Sequence, residues 1–332
     1  MKKRTLKNVC LALMALALVC CASAAYAAGK GKIANMQIMT GGAGGTWAVI
    51  GAAISEKVNL EYDGFPFTAA PSPGSVANPM IVSGGESAFG LSYPTFLVAA
   101  MKGEAPYDKP ASNLRAIAAL PITVVHMFVD SGKVPANSVQ EMLDKKMVFK
   151  LGIMPQGAGS YMIFDSIFKA YGLKKVEEIK GWGSTIFYAT GSGLSDAWKD
   201  LIIDVSVGTY NIPASIMSEA MSSRKGRILN MGEELMPKLL EIGFTPYVLP
   251  KGTYANQDYD VATVGLPMIL FTRENINEDI VYTLTKTIYE NDGYLKNVHS
   301  SFQVFERDKM HMGNGIELHA GAVKFYKEIG LM

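Results

Sequence analysis

Apolar runs bounded by glycine and proline alternate along this chain with stretches whose apolar residues recur at helical spacing. That alternation predicts an α/β architecture. Residues 36–40 predict a first strand and 41–45 a glycine loop; Trp47, Ile50, Ile54 and Val58 then recur at helical spacing. Residues 65–70 predict a second strand, followed by a Pro-Ser-Pro-Gly turn and a short helix running to Gly84-Gly85. Residues 88–92 predict a third strand, with a helix from about Tyr93 to Lys102. Residues 115–120 and 124–129 predict strands on either side of Pro121, and 261–265 and 268–272 flank Pro267 in the same way. Further strands are predicted at 148–153 and 204–208, and further helices at 277–290 and from His319 to the end. The stripe Phe164, Ile167, Phe168, Tyr171 predicts a core-facing helix that stops at Gly172.

Several of these strands end in a Gly- or Ser-bearing turn that opens a helix: Thr40 to Trp47, Ala70 to Val76, Ile153 to Tyr161 and Gly208 to Pro213. A helix N-terminus presents unpaired N–H groups and a partial positive charge. Several converging on one cleft would hold a carboxylate without Arg or Lys. Ligands in open α/β sheets also sit at the carboxyl ends of strands. The candidate residues are Gly44, Gly45, Thr46 and Trp47 in the first loop, and Gly159, Ser160 and Tyr161 in the Gly-Ala-Gly-Ser turn. Each loop has a plain alternative, a tight strand-to-helix turn with no ligand. The first is not a phosphate loop, since no Gly-Lys-Ser/Thr follows, and it lacks the G-x-G-x-x-G spacing of a dinucleotide site. Ser75 is a candidate as cap or ligand contact, although Asn78-Pro79 also reads as an N-cap and first helical residue. Tyr93, Trp182, Tyr188 and Tyr210 lie near element ends, where rings with polar tips line clefts or are simply half-buried.

The ends and the composition add context. Lys2, Lys3, Arg4 and Lys7 precede an apolar run over 9–21, and Ala25-Tyr26-Ala27 has the small-residue spacing of a cleavage site. Residues 1–27 are therefore expected to be a signal peptide and the protein to be exported to the periplasm. Cys10, Cys20 and Cys21 all lie in that segment, so the remainder has no thiol, disulfide or cysteine metal ligand. Its removal leaves 27 basic against 30 acidic residues, which points to no nucleic-acid partner. About 305 residues remain, two domains by length. No G-x-S-x-G elbow or H-E-x-x-H is present. His126 sits within an apolar strand, as a satisfied core residue would. Met310-His311-Met312 has the softness for copper but no second cluster. The expectation is a non-enzyme with no cofactor and no metal.

Six pieces in order carry a resemblance: TGGAGGTWAVIGAAISEKVN, PGSVANPMIVSGGESAFGLSY, NLRAIAALPITVVHMFV, LGIMPQGAGS, GTYANQDYDVATVGLP and ELHAGAVKFYKEIGL. Over nearly its full length the chain resembles the TAXI proteins, the extracytoplasmic solute-binding components of tripartite ATP-independent (TRAP) transporters. The resemblance implies a bilobed periplasmic-binding-protein fold of the type II-like, mixed-sheet class. Two α/β lobes, 28–122 with 267–332 and 123–266, would be joined by a strand hinge. It implies TRAP membrane subunits as partners and a small organic acid, such as glutamate or 2-oxoglutarate, as the small-molecule ligand. On that picture N–H groups around Gly45–Trp47 and Gly159–Tyr161 take the carboxylate. Thr46, Ser75, Tyr93, Ser160 and Tyr210 orient the ligand, and Thr185 is an additional candidate. The chain departs from the family pattern at Ala88, where an acid is usual, and in the bulk of Trp47, Trp182 and Tyr188. Other readings are a ligand-sensing lobe for a membrane receptor and a periplasmic enzyme on the same fold.

Overall fold

The computed structural model describes residues 36–43, 45–61 and 66–332. The expected signal segment and Gly44 lie outside the described residues. Ten strands form one mixed sheet: β1 Gln37–Met39, β2 Thr68–Ala70, β3 Phe89–Ser92, β4 Leu114–Asp130, β5 Lys150–Ile153, β6 Thr185–Tyr188, β7 Val205–Tyr210, β8 Gly226–Ile228, β9 Thr245–Leu249 and β10 Val261–Arg273. Their order is β2-β1-β3-β10-β4-β7-β5-β6, with β8 added to β4 and β9 to β10.

β4 and β10 organise the fold. Both are apolar almost without interruption and are buried along nearly their whole length, the pattern of strands covered on both faces. They pair antiparallel from Arg273↔Leu114 to Gly265↔Val124, and each serves two groups of neighbours in turn. β3 pairs β10 over Ile269–Thr272, whereas β9 pairs it over Val261–Gly265. β7 pairs β4 from Val124 to Val129, beyond the stretch that faces β10's carboxyl half. The hand-over divides the sheet into two lobes threaded by the same two strands.

Pro121 and Pro267 do not split these strands as the sequence suggests. Pro267 stands opposite Ile122 and Met268 opposite Leu120, so a bulge absorbs Pro121 while both strands continue. Proline cannot donate to a ladder, and a bulge is where a sheet accepts it.

In the first lobe β1, β2 and β3 run parallel, and the helix Thr46–Glu61 lies behind them, burying Ile50, Ile54 and Val58 as their spacing predicts. The helix Asn78–Ser83 starts differently from either expectation. Ala77 occupies its N-cap position and no side chain caps it. Asn78 is instead fully buried, its Nδ2 donating toward the carbonyls of Met39, Thr40 and Leu91 at 3.0, 3.0 and 2.8 Å. It ties together the carboxyl ends of β1 and β3.

In the second lobe β5, β6 and β7 run parallel. The helix Gly159–Tyr171 buries Phe164, Ile167 and Phe168 and ends at Gly172 with φ +125°. The apolar core is continuous between lobes: Val82, Phe96 and Leu97 of the first share one cluster with Phe164, Ile167 and Phe168 of the second.

Candidate functional site

A cavity of about 740 Å³ opens at the carboxyl ends of the parallel strands, where the lobes face one another. The strand-to-helix turns named above converge on it. Gly45, Thr46 and Trp47 come from the turn after β1, Ser75 from the turn after β2 and Tyr93 from the end of β3. Gly159 and Ser160 follow β5, and Thr209 and Tyr210 close β7. Helices begin at Thr46, Gly159 and Ser215 around the same space. The N–H groups of their first two residues lack intrahelical acceptors and carry the positive end of the helix dipole. Gly45 is an exception, its N–H being donated to the Gly42 carbonyl at 3.1 Å.

The first lobe supplies a donor that the sequence did not single out. His299 lines the cavity. Its Nδ1 accepts from Ser301 N–H at 3.1 Å and lies 2.9 Å from Ser301 Oγ. Because Nδ1 accepts, the ring is neutral with its proton on Nε2, and burial lowers its pKa. Nε2 is 3.5 Å from Thr46 Oγ1, the outer limit of a hydrogen bond. Receiving that proton leaves the Thr46 hydroxyl free to donate into the cavity.

Aromatic rings form the opposing surface. Trp47 meets Tyr93 edge to face at 5.1 Å. The Tyr93 hydroxyl is hydrogen-bonded to Thr123 Oγ1 at 3.1 Å, which in turn donates to Leu266 O on β10. Burial raises the Tyr93 pKa and hydrogen bonds with Thr123 and Thr209 pull the other way. A ring of the first lobe thus touches the strands common to both.

Tyr210 is seated from behind. A Cβ on Gly208 would lie 2.2 Å from the Tyr210 hydroxyl and 2.3 Å from Cζ, so the ring occupies the volume that a side chain at position 208 would take. His126 packs edge-on to Tyr210 at 5.4 Å and is fully buried. Its Nδ1–H donates to Val124 O at 2.9 Å. Its Nε2 accepts from the Tyr254 hydroxyl at 3.2 Å, and that oxygen accepts from Ala214 N–H at 3.3 Å. Ala214 lines the cavity beside the Ser215–Ser223 helix. His126 is therefore the satisfied core residue its apolar strand predicts, and it fixes part of the cavity wall. Burial pushes its pKa down to about 4, with the Val124 bond opposing.

The two lobes touch where the turn after β2 meets the turn after β5. A Cβ on Gly159 would lie 2.3 Å from Ser75 Oγ and 3.6 Å from Phe96 Cε2. Only glycine permits that approach.

Eight of the eleven residues singled out in the sequence line this cavity: Gly45, Thr46, Trp47, Ser75, Tyr93, Gly159, Ser160 and Tyr210. Gly44 lies outside the described residues. Tyr161 turns its ring away into the second lobe and donates from its hydroxyl to Glu177 Oε1 at 2.7 Å. Gln156 and Tyr188 donate to the same oxygen at 2.7 and 2.9 Å. Burial would raise the Glu177 pKa, but these bonds outweigh it and hold the carboxyl at about 2. Thr185 starts β6 opposite Lys150, whereas Ile153, at the cavity end of β5, faces Tyr188. Three residues of strand, roughly 10 Å, separate Thr185 from the cavity end. The sequence missed His299, Ser300, Thr209, Asn211 and Met154, which also line the cavity. Among the described residues no lining side chain is Asp, Glu, Lys or Arg, no group of metal ligands occurs, and no helix is long and apolar enough to cross a membrane.

The profile of the NMT1-like family matches residues 38–330. Among solved structures, one described as that of a periplasmic transporter is similar at 15% identity, with a TM-score of 0.52 and coverage of 88% of this chain and 91% of the other. MatC from Rhodopseudomonas palustris with bound malate is similar at 12% identity, with a TM-score of 0.51 and coverage of 82% and 90%. The periplasmic binding protein BugD is similar at 14% identity, with a TM-score of 0.50 and coverage of 88% and 93%. At these identities the likeness establishes the fold: this is the bilobed mixed-sheet fold of periplasmic binding proteins.

Proposed function

The chain belongs to the NMT1-like family, and we propose that it is an exported solute-binding protein that captures a small organic acid for a membrane transporter of the tripartite ATP-independent type. The observation that carries this reading is the uncharged cavity ringed by helix N-termini. It offers directed donors and positive dipole ends for one anionic group, and among the described residues its lining contains no carboxylate, lysine or arginine. The fold shared with periplasmic binding proteins supports the same reading. Thr46 and the first-turn N–H groups of the Thr46–Glu61 and Gly159–Tyr171 helices take the carboxylate. Ser75, Tyr93, Ser160 and Tyr210 orient the remainder.

Capture proceeds by closure of lobe 28–122 with 267–332 on lobe 123–266, about the β4–β10 crossing. Ligand bridging both lobes shifts the population toward the closed form, which the transporter's membrane subunits recognise. Titration calorimetry against organic acids tests the proposal. Saturable binding, with the acid recovered chemically intact, supports it. An absence of binding across the acids, or conversion of a bound acid, refutes it.

A further inference from the structure

We propose that the ligand is a monocarboxylate with an uncharged body, and that dicarboxylates and α-amino acids bind far more weakly; this rests on the organic-acid reading above. The first carboxylate has its partners in the helix ends and in Thr46, whose hydroxyl His299 leaves free to donate. A second would meet only the single helix end at Ser215, since the described cavity lining contains no Lys or Arg and His299 is held neutral by Ser301 on its Nδ1. An α-ammonium group is equally unmatched, because that lining contains no Asp or Glu. A charge enclosed without a partner is expensive, and the cost falls on the ligand's affinity.

The Gly159–Tyr171 helix end serves the first carboxylate and is not a spare site for a second. Its first residue is pressed against Ser75 and Phe96. Ser160 Oγ beside it is buried with no partner in the protein, which suits one ligand oxygen. The rest of the wall is uncharged: Trp47, Met154, Tyr210 and Ile216 present rings and aliphatic groups to the cavity, and Thr209 and Asn211 add neutral polar groups. The volume, about 740 Å³, falls within the range of drug-sized ligand sites and exceeds what a short-chain acid fills.

The test is titration calorimetry of the protein with phenylpyruvate, 4-methyl-2-oxopentanoate and octanoate on one side and 2-oxoglutarate, malate and L-glutamate on the other. At least one monocarboxylate is expected to bind about 100-fold more tightly than any of the second set. Met154→Lys supplies a cation at the wall and should narrow that gap by about tenfold or more. Equal or tighter binding of a dicarboxylate or of L-glutamate by the unaltered protein overturns this inference and leaves the organic-acid reading standing. Binding of neither set overturns both.

Discussion

Acidification should destabilise this protein through His126 before its carboxylates titrate. The imidazole is fully buried and satisfied only as the neutral tautomer, donating to Val124 O and accepting from Tyr254. Its pKa is about 4 in the fold, against 6.5 for the free side chain. The unfolded chain therefore binds more protons between those values, and stability falls as pH falls through that window. Above pH 6.5 the neutral imidazole is common to both states and the effect is absent. The difference amounts to ~2 kcal/mol lost by pH 5 and ~3 kcal/mol by pH 4. Urea unfolding at pH 7, 6, 5 and 4 measures it, compared with His126→Gln, which keeps a polar side chain but cannot titrate. Burial also lowers the His299 and His319 pKa values, so the variant still loses stability, but less than the parent. The reasoning is refuted if parent and variant lose stability in parallel from pH 7 to 5.

Other substitutions probe the cavity directly. Thr46→Ala should weaken acid binding by roughly 10- to 100-fold, the worth of one hydrogen bond to a charged group, with the melting temperature nearly unchanged; unchanged affinity in calorimetry removes Thr46 from the site. Gly208→Ala forces the Tyr210 ring off its seat at an overpacking cost of about 1–3 kcal/mol. Both the urea midpoint and ligand affinity should fall, and retention of both would contradict the assigned seating of the ring. Gly159→Val places its side chain against Ser75 and Phe96 and should oppose closure. Affinity should drop, and small-angle scattering with ligand should stay at the open dimensions; a normal closed form refutes the steric gate.

Much of this architecture is readable from residues, and the misses have physical causes. Helices with one apolar face, such as Thr46–Glu61 and Gly159–Tyr171, announce themselves because burial demands the spacing. The turn at 157–160 is visible through its glycines, because Gly157 takes φ +89° and Gly159 lies against Ser75. Nothing in the sequence marks β6, β8 and β9 as strands. β8 is only three residues long, while β6 and β9 are mostly exposed and are placed by pairing with distant strands. β4 and β10 were read as broken because proline usually ends a strand, and the bulge that accommodates Pro121 depends on the partner's register. Thr185 was misplaced for a related reason. Nothing local tells which end of a parallel strand meets the cleft, and Thr185 starts β6. His299 carries no motif at all; it reaches Thr46 from 253 positions away, a contact made by the chain's return to the first lobe.

Isothermal titration calorimetry of the purified protein with organic acids, followed by chemical recovery of the acid, tests the central claim most directly. The account predicts saturable binding at one site, blunted by Thr46→Ala, with the acid returned unchanged. No binding by any acid, or an acid returned as product, would contradict it.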